Sequence, residues 1–242
     1  MAKPVDLVGQ KFDMLTVTKK AEKDGRYIVW YCNCECGTVD FIVRGSDLKN
    51  KRVKSCGCKT VEDIDEEKAK LIASYKEKCD VWVELGLQTA NDRTAEIINR
   101  GYYRDTFGKA MDILKKYGIH VVVHLIVGLP GEGIEEIMQT VEYINGFDLF
   151  GVKIHSIYVM RGTQLEKMYN RGEYTPPSIE EYTEAAVYIL THIDPEITVH
   201  RLTGDCPRDM LVAPDWNRSK NEIINIIVNK MQSRGLSQGC EH

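Results

Sequence analysis

Residues 119–127 read Ile-His-Val-Val-Val-His-Leu-Ile-Val and run directly into Gly128-Leu129-Pro130-Gly131-Glu132. Nine residues this rich in β-branched side chains suit a strand buried on both faces, and the glycine–proline cluster ends it. Buried strands of this kind belong to parallel sheets, whose crossover connections cover both faces with helices. The flanking sequence supplies such helices. Helical patterns are predicted at 65–78, with Asp65 as N-cap, and at 91–100. Another runs over 104–117 and stops at Gly118, and a further one ends at Asn145. Val81–Leu87 reads as a second buried strand and Gly151–Val159 as a third, with Val199–Leu202 as a last short one. Helices follow at Gln164–Asn170, after Pro177 with a Ser178/Glu181 capping box, and over Ser219–Gln232. Strands alternating with helices predict an α/β fold with a parallel sheet.

The first sixty residues have a different character. They carry 12 Lys and Arg against 7 Asp and Glu, whereas the whole chain has 32 against 36. Five of the eight cysteines lie between Cys32 and Cys58. Short β-rich runs at Phe12–Thr18, Tyr27–Cys32 and Val39–Arg44 are separated by Lys-Asp-Gly and Cys-Gly turns, with a helical turn expected over Ser46–Lys51. Cys34 and Cys36 share one strand face, and Gly57 allows Cys56 and Cys58 to fold around the same ion. Four thiolates in that arrangement suit structural zinc, which a domain this small needs. The fifth cysteine, Cys32, shares the face and is the alternative to one of the four, and iron is the alternative ion. An acidic linker, Thr60–Asp65, follows. The expected organisation is a ribbon at 1–60, an α/β domain at 61–205 and a helical extension at 206–242. No apolar run approaches a membrane span and the N-terminus lacks a signal-peptide core, so a cytoplasmic protein with reduced thiols is expected.

The stretch Val8-Gly9-Gln10-Lys11-Phe12, Trp30 to Gly37, Arg44 to Leu48 and Lys54 to Cys58 resembles a cysteine-rich, zinc-ribbon-like module of phage and mobile-element DNA-binding proteins. That resemblance implies DNA contact through Lys49, Lys51, Arg52 and Lys54; a solvated basic turn is the plain alternative. No catalytic His or Asn of an endonuclease follows it.

The run Gly86-Leu87-Gln88-Thr89, Asn99-Arg100-Gly101 and His124 to Glu132 resembles the rear half of a radical S-adenosylmethionine (SAM) barrel of the coproporphyrinogen-oxidase-like and elongator-like branch. Further matching residues are Ile154-His155, Arg161 to Leu165, His200 to Asp205 and Ala213 to Trp216. From residue 65 to the C-terminus the chain is similar to an uncharacterised bacterial radical SAM subfamily. The resemblance implies an incomplete parallel (β/α) partial barrel preceded by the β-rich ribbon, and SAM and a 4Fe–4S cluster as cofactors. It implies SAM contact by Gln88 and by Arg100 twelve residues later, with His124 and Ile126 lining the adenosine site and Gly128 beside it. Relatives often carry Asp where His124 stands. Glu84 shares the Gln88 strand and is free to face the barrel interior or a helix. His200, Arg201 and Asp205 form a candidate substrate cluster, with an internally satisfied turn as the alternative. Trp82 and Trp216 are expected to pack, and Cys79, Cys206 and Cys240 to be unligated.

The cluster of such enzymes is held by a C-x3-C-x2-C triplet, and this chain has none. Three strands cannot close a barrel and would leave Val81–Leu87 as an edge in need of a partner or second copy. Two expectations follow. One is a radical SAM protein inactive on its own; the other is a zinc-dependent DNA-binding or interaction module fused to a truncated barrel.

Overall fold

The computed structural model describes residues 5–21, 28–35, 37–56 and 64–242. The chain divides into two compact units, Met1–Glu62 with Asn99–Gly101, and Asp63–Ile98 with Tyr102–His242.

In the first unit, β1 (Lys11–Phe12), β2 (Leu15–Lys20), β3 (Val29–Cys34) and β4 (Phe41–Arg44) form an antiparallel sheet in that order, followed by α1 (Gly45–Lys49). The predicted Phe12–Thr18 strand is broken because Asp13 turns through φ 52°, pairing Phe12 with Leu15. Asp tolerates that left-handed conformation, and a two-residue turn results. Val39 likewise precedes its strand, since Asp40 sits at φ 53°. Leu7, Leu15, Val17, Trp30, Cys32, Val43 and Leu48 make a small core.

The second unit holds a parallel sheet of β5 (Trp82–Gln88), β6 (His120–Val127), β7 (Gly151–Ser156) and β9 (Thr198–Arg201), in the order β5-β6-β7-β9. The short strand expected at Val199–Leu202 is β9, the fourth strand of this sheet, and β5 is at its edge. The helices are α2 (Glu66–Ala73), α3 (Asp92–Ile97), α4 (Arg104–Lys116), α5 (Ile134–Asn145), α6 (Gln164–Asn170), α7 (Ile179–His192) and α8 (Lys220–Ser233). Their N-termini are where side-chain oxygens can serve the orphan backbone donors. Asp65 accepts from Lys68 N–H at 2.8 Å, Asn91 from Arg93 N–H at 3.0 Å, and Ser178 from Glu181 N–H at 3.2 Å, with Glu181 accepting from Ser178 N–H at 2.7 Å. α2 ends at Ala73, short of the predicted Lys78, because the Ser74 hydroxyl donates to Leu71 O at 2.6 Å and competes with the backbone ladder.

The third predicted strand is also divided. β7 stops at Ser156, and β8 (Val159–Met160) pairs antiparallel with β10 (Leu211–Ala213), fifty residues on, in a separate two-stranded sheet. Alternation sorts the main sheet into two faces. Val121, Val123, Leu125 and Val127 of β6, with Val152 and Ile154 of β7, enter the core with Tyr182, Ile189 and Ile193 of the α7 segment and Ile223 and Ile227 of α8. The alternate residues form the opposite, inner face, and it carries the chemistry. Among the described residues, no helix is long and apolar enough to cross a membrane.

Candidate functional site

Strand register layers the inner face from bottom to top. At the amino ends of the strands lies an aromatic floor: Trp82 and His200 each have ring centroids within 6.3 Å of Phe150 or of one another, and His120 is 4.7 Å from Phe150. Trp82 contributes to it while keeping 46% of its surface exposed. Gly151 is part of this arrangement, since a Cβ there would come within 2.4 Å of the His200 ring.

Above the floor, Gly86 of β5, His124 of β6 and Lys153 of β7 follow one another across the sheet. Glu84 faces this layer, which settles its orientation. Lys153 Nζ donates to both Glu84 carboxylate oxygens at 2.6 Å, and His124 Nε2 is 2.8 Å from Oε2. The hydrogen bond from Lys153, then that from His124, hold Glu84 down at about 2 despite the opposing desolvation, so it stays ionised.

His155 stands one turn of the strand alternation above Lys153 and stacks on His124, centroids 5.3 Å apart and planes 21° from parallel. Its Nε2 is buried and makes no hydrogen bond. Burial, and then the neighbouring His124, Arg201 and Lys153, push His155 down to about 4. Its unfolded value lies near 6.5. The unfolded chain therefore binds the extra proton first, and stability is lost as pH falls from 6.5 toward 4. Discounted for partial exposure, the loss should be about 2 kcal/mol. Urea titrations across this window should show the slope in the wild type and a flatter one in His155→Gln; an unchanged slope would refute the assignment.

Two register irregularities shape the top of the face. In β5 the pairing shifts between Gly86 and Gln88, and Gln88 adopts φ 59°. Such a bulge re-aims a side chain at the end of a strand. Here the Gln88 carboxamide folds back over Gly86, where a Cβ would meet its Nε2 at 2.2 Å. The second shift lies between β7 and β9, pairing Lys153 with Arg201. It leaves His200 against Gly151 and the charge of Arg201 felt at His155. Asp205 is drawn away, forming an ion pair with Lys220 of α8. Ile126 aligns with His155 across the sheet, and Arg100 is 8% exposed.

Gly128 ends β6 at φ 90°, and its carbonyl accepts from the Tyr174 hydroxyl at 2.5 Å. A cavity of about 660 Å³ opens there on the helix side, lined by Leu129, Ile137, Tyr174, Pro177 and Glu184 among others. It shares Gly128 with the candidate cofactor residues but includes none of the inner-face polar groups. Lys153 and His155 are the functional candidates that sequence reasoning missed. Their signal was the polar residue at every second position of Gly-Val-Lys-Ile-His-Ser.

In the first unit, Cys36 and Cys58 lie outside the described residues. Cys34 N–H donates to Thr38 O at 2.8 Å, and the Cys56 thiol donates to the Thr38 hydroxyl at 3.3 Å. Cys32 is fully buried among Leu15, Val17 and Trp30, and burial pushes its thiol up to about 11, which favours the neutral form. Lys49, Lys51, Arg52 and Lys54 are all exposed. Among the described residues, no three Cys, His, Asp or Glu side chains gather as a metal-holding group.

A family profile for the radical SAM superfamily matches residues 16–144, and one for the radical SAM C-terminal domain matches 149–233. The first match begins within β2, inside the cysteine-rich unit. The chain is 30% identical to the protein YtqA of Bacillus subtilis over 246 residues, 97% of this chain and 74% of that one. It is 35% identical to protein MJ0486 of Methanocaldococcus jannaschii over 179 residues, covering 73% of this chain and 56% of the relative. Among solved structures, the archaeal Methanocaldococcus infernus Elp3 with an N-terminal deletion superposes with a TM-score of 0.62 at 28% identity. That match covers 70% of this chain and 40% of the other.

Proposed function

The chain belongs to the radical SAM superfamily, and from that premise we propose that its second unit is the SAM-facing and substrate-facing part of a (β/α) barrel. The observation that carries this reading is the inner face itself. Its polar side chains converge toward the carboxyl ends of β5, β6 and β7, where parallel α/β folds bind ligands. The residue types of the second unit suit SAM: the Gln88 carboxamide for its polar groups, His124 for the ribose, and Ile126 for the apolar edge of the base, whereas Arg100 belongs to the first unit. The cysteines do not suit the family's cluster. None has the C-x3-C-x2-C spacing, so no chemical step is assigned to a cluster held by this chain. The test is SAM binding by equilibrium dialysis without added iron. Saturable binding weakened about tenfold by Gln88→Ala is expected, the worth of one good hydrogen bond to a charged or polar ligand. Absence of saturable binding would refute the reading.

A second reading concerns the first unit as a zinc-dependent DNA-binding or interaction module. It is favoured by the way Thr38 joins the Cys34 turn to Cys56, which brings one cysteine of each predicted pair near the same residue. The exposed Lys49, Lys51, Arg52 and Lys54 would supply phosphate contacts. Metal analysis should find about one zinc per chain, lost in the Cys34→Ser, Cys56→Ser double variant. Zinc-free protein of unchanged fold would exclude it.

A further inference from the structure

We propose that the inner face holds a substrate oxyanion, a carboxylate or a phosphate, between the Arg201 guanidinium and the His155 ring, with Glu84, Lys153 and His124 as the scaffold that positions His155. This rests on the reading of the inner face as the substrate-facing side.

Charge accounting leads to the anion. Glu84 is the acid of the cluster, and it is consumed internally by Lys153 through both oxygens and by His124 through one. Arg201 is exposed and pairs with no carboxylate among the described residues. The acid nearest to it in sequence, Asp205, is held by Lys220. A planar guanidinium with free donors is a bidentate receptor for carboxylate or phosphate.

The second half of the receptor is His155. Its buried Nε2 has no partner, the state of a group that a bound ligand or water completes. The groups whose charge acts on it are His124, stacked on it from β6, Lys153 from its own strand, Arg201 of β9, which pairs with Lys153, and Glu84 from β5. Three of the four bring positive or potentially positive charge. An arriving anion supplies the missing negative charge and lets the ring take up a proton and donate it to the anion. Gly204 closes the site from the loop after β9, where a Cβ would sit 3.2 Å from His155 Nδ1. The same surroundings disfavour a metal ion, because the Lys153 ammonium lies on the Glu84 carboxylate and no metal-holding group of side chains occurs among the described residues.

The experiment is histidine side-chain NMR on the full chain, titrated from about pH 7 down to about 4, the range in which the His155 imidazole changes charge with and without a bound anion. The probes are inorganic phosphate and succinate, with His155→Gln identifying the His155 signal. Either anion should shift that signal saturably and raise its titration midpoint by about one unit or more, a tenfold linkage. Arg201→Gln, a change at an exposed position, should weaken the response at least tenfold. No saturable shift in the wild type, or a shift that survives Arg201→Gln, overturns the proposal. SAM is the third probe: if it alone saturates the His155 shift and displaces both anions, the oxyanion is the cofactor's and the substrate claim falls. Anion binding without SAM binding would overturn only the SAM reading, and SAM binding without anion binding only this one.

Discussion

Gly128→Ala should lower the unfolding free energy by about 3 kcal/mol, measured by urea denaturation with an unchanged slope. Two costs add. At φ 90° an alanine is in the left-handed region, which costs about 1–2 kcal/mol for a residue with a Cβ. The new Cβ would also lie 2.5 Å from Pro177 Cδ and 3.0 Å from Ile157 Cγ2, and overpacking of this kind costs about 1–3 kcal/mol. Gly131→Ala is the control. It shares the backbone conformation, φ 80°, but its Cβ meets nothing within 4 Å, so only the first cost applies. Equal destabilisation by the two substitutions would show that the Gly128 loop is not packed against the Pro177 segment as described. The loop is then not held rigidly at the carboxyl end of β6.

Much of the second unit is legible in the chain because local and global preferences agree there. The apolar run of β6, the caps at Asp65, Asn91 and Ser178, and the stop at Gly118 each state their structure locally. What escapes is non-local. β8 pairs with β10 across fifty residues, and two- or three-residue strands have no periodicity to detect. Which side Glu84 takes was open because β5 is apolar on both sides of it. The ion pairs with Lys153 and His124 decide it, and they involve residues 40 and 69 positions away. The candidate substrate cluster His200, Arg201 and Asp205 is adjacent in sequence, yet the structure sends its members to three places. His200 goes to the aromatic floor, Arg201 pairs with Lys153 and Asp205 goes to α8. A one-residue register shift in β9 separates His200 from Arg201, and neither propensity nor spacing encodes it. The β-hairpin breaks at Asp13 and Asp40 were likewise hidden, because Asp takes a left-handed turn only when flanking pairing demands it.

The largest effect expected is in cofactor chemistry. On the proposed reading the inner face would contact SAM, while the C-x3-C-x2-C spacing that holds the family's reducing cluster is absent here. Cys79 and Cys240 are exposed, Cys206 lies in the loop after β9, and Cys32 is buried in the core of the first unit. These four thiols are spread over separate segments, and Cys34 and Cys56, which Thr38 joins, lack the triplet spacing that holds the family's 4Fe–4S cluster. SAM binding and reductive SAM cleavage are therefore expected to be separate properties in this chain. The measurement that tests this most directly is anaerobic reconstitution of this chain with iron and sulfide, followed by reduction and assay of SAM cleavage. The account predicts SAM bound but no 5′-deoxyadenosine above the protein-free control. Release of 5′-deoxyadenosine together with cluster absorbance from this chain alone would contradict it.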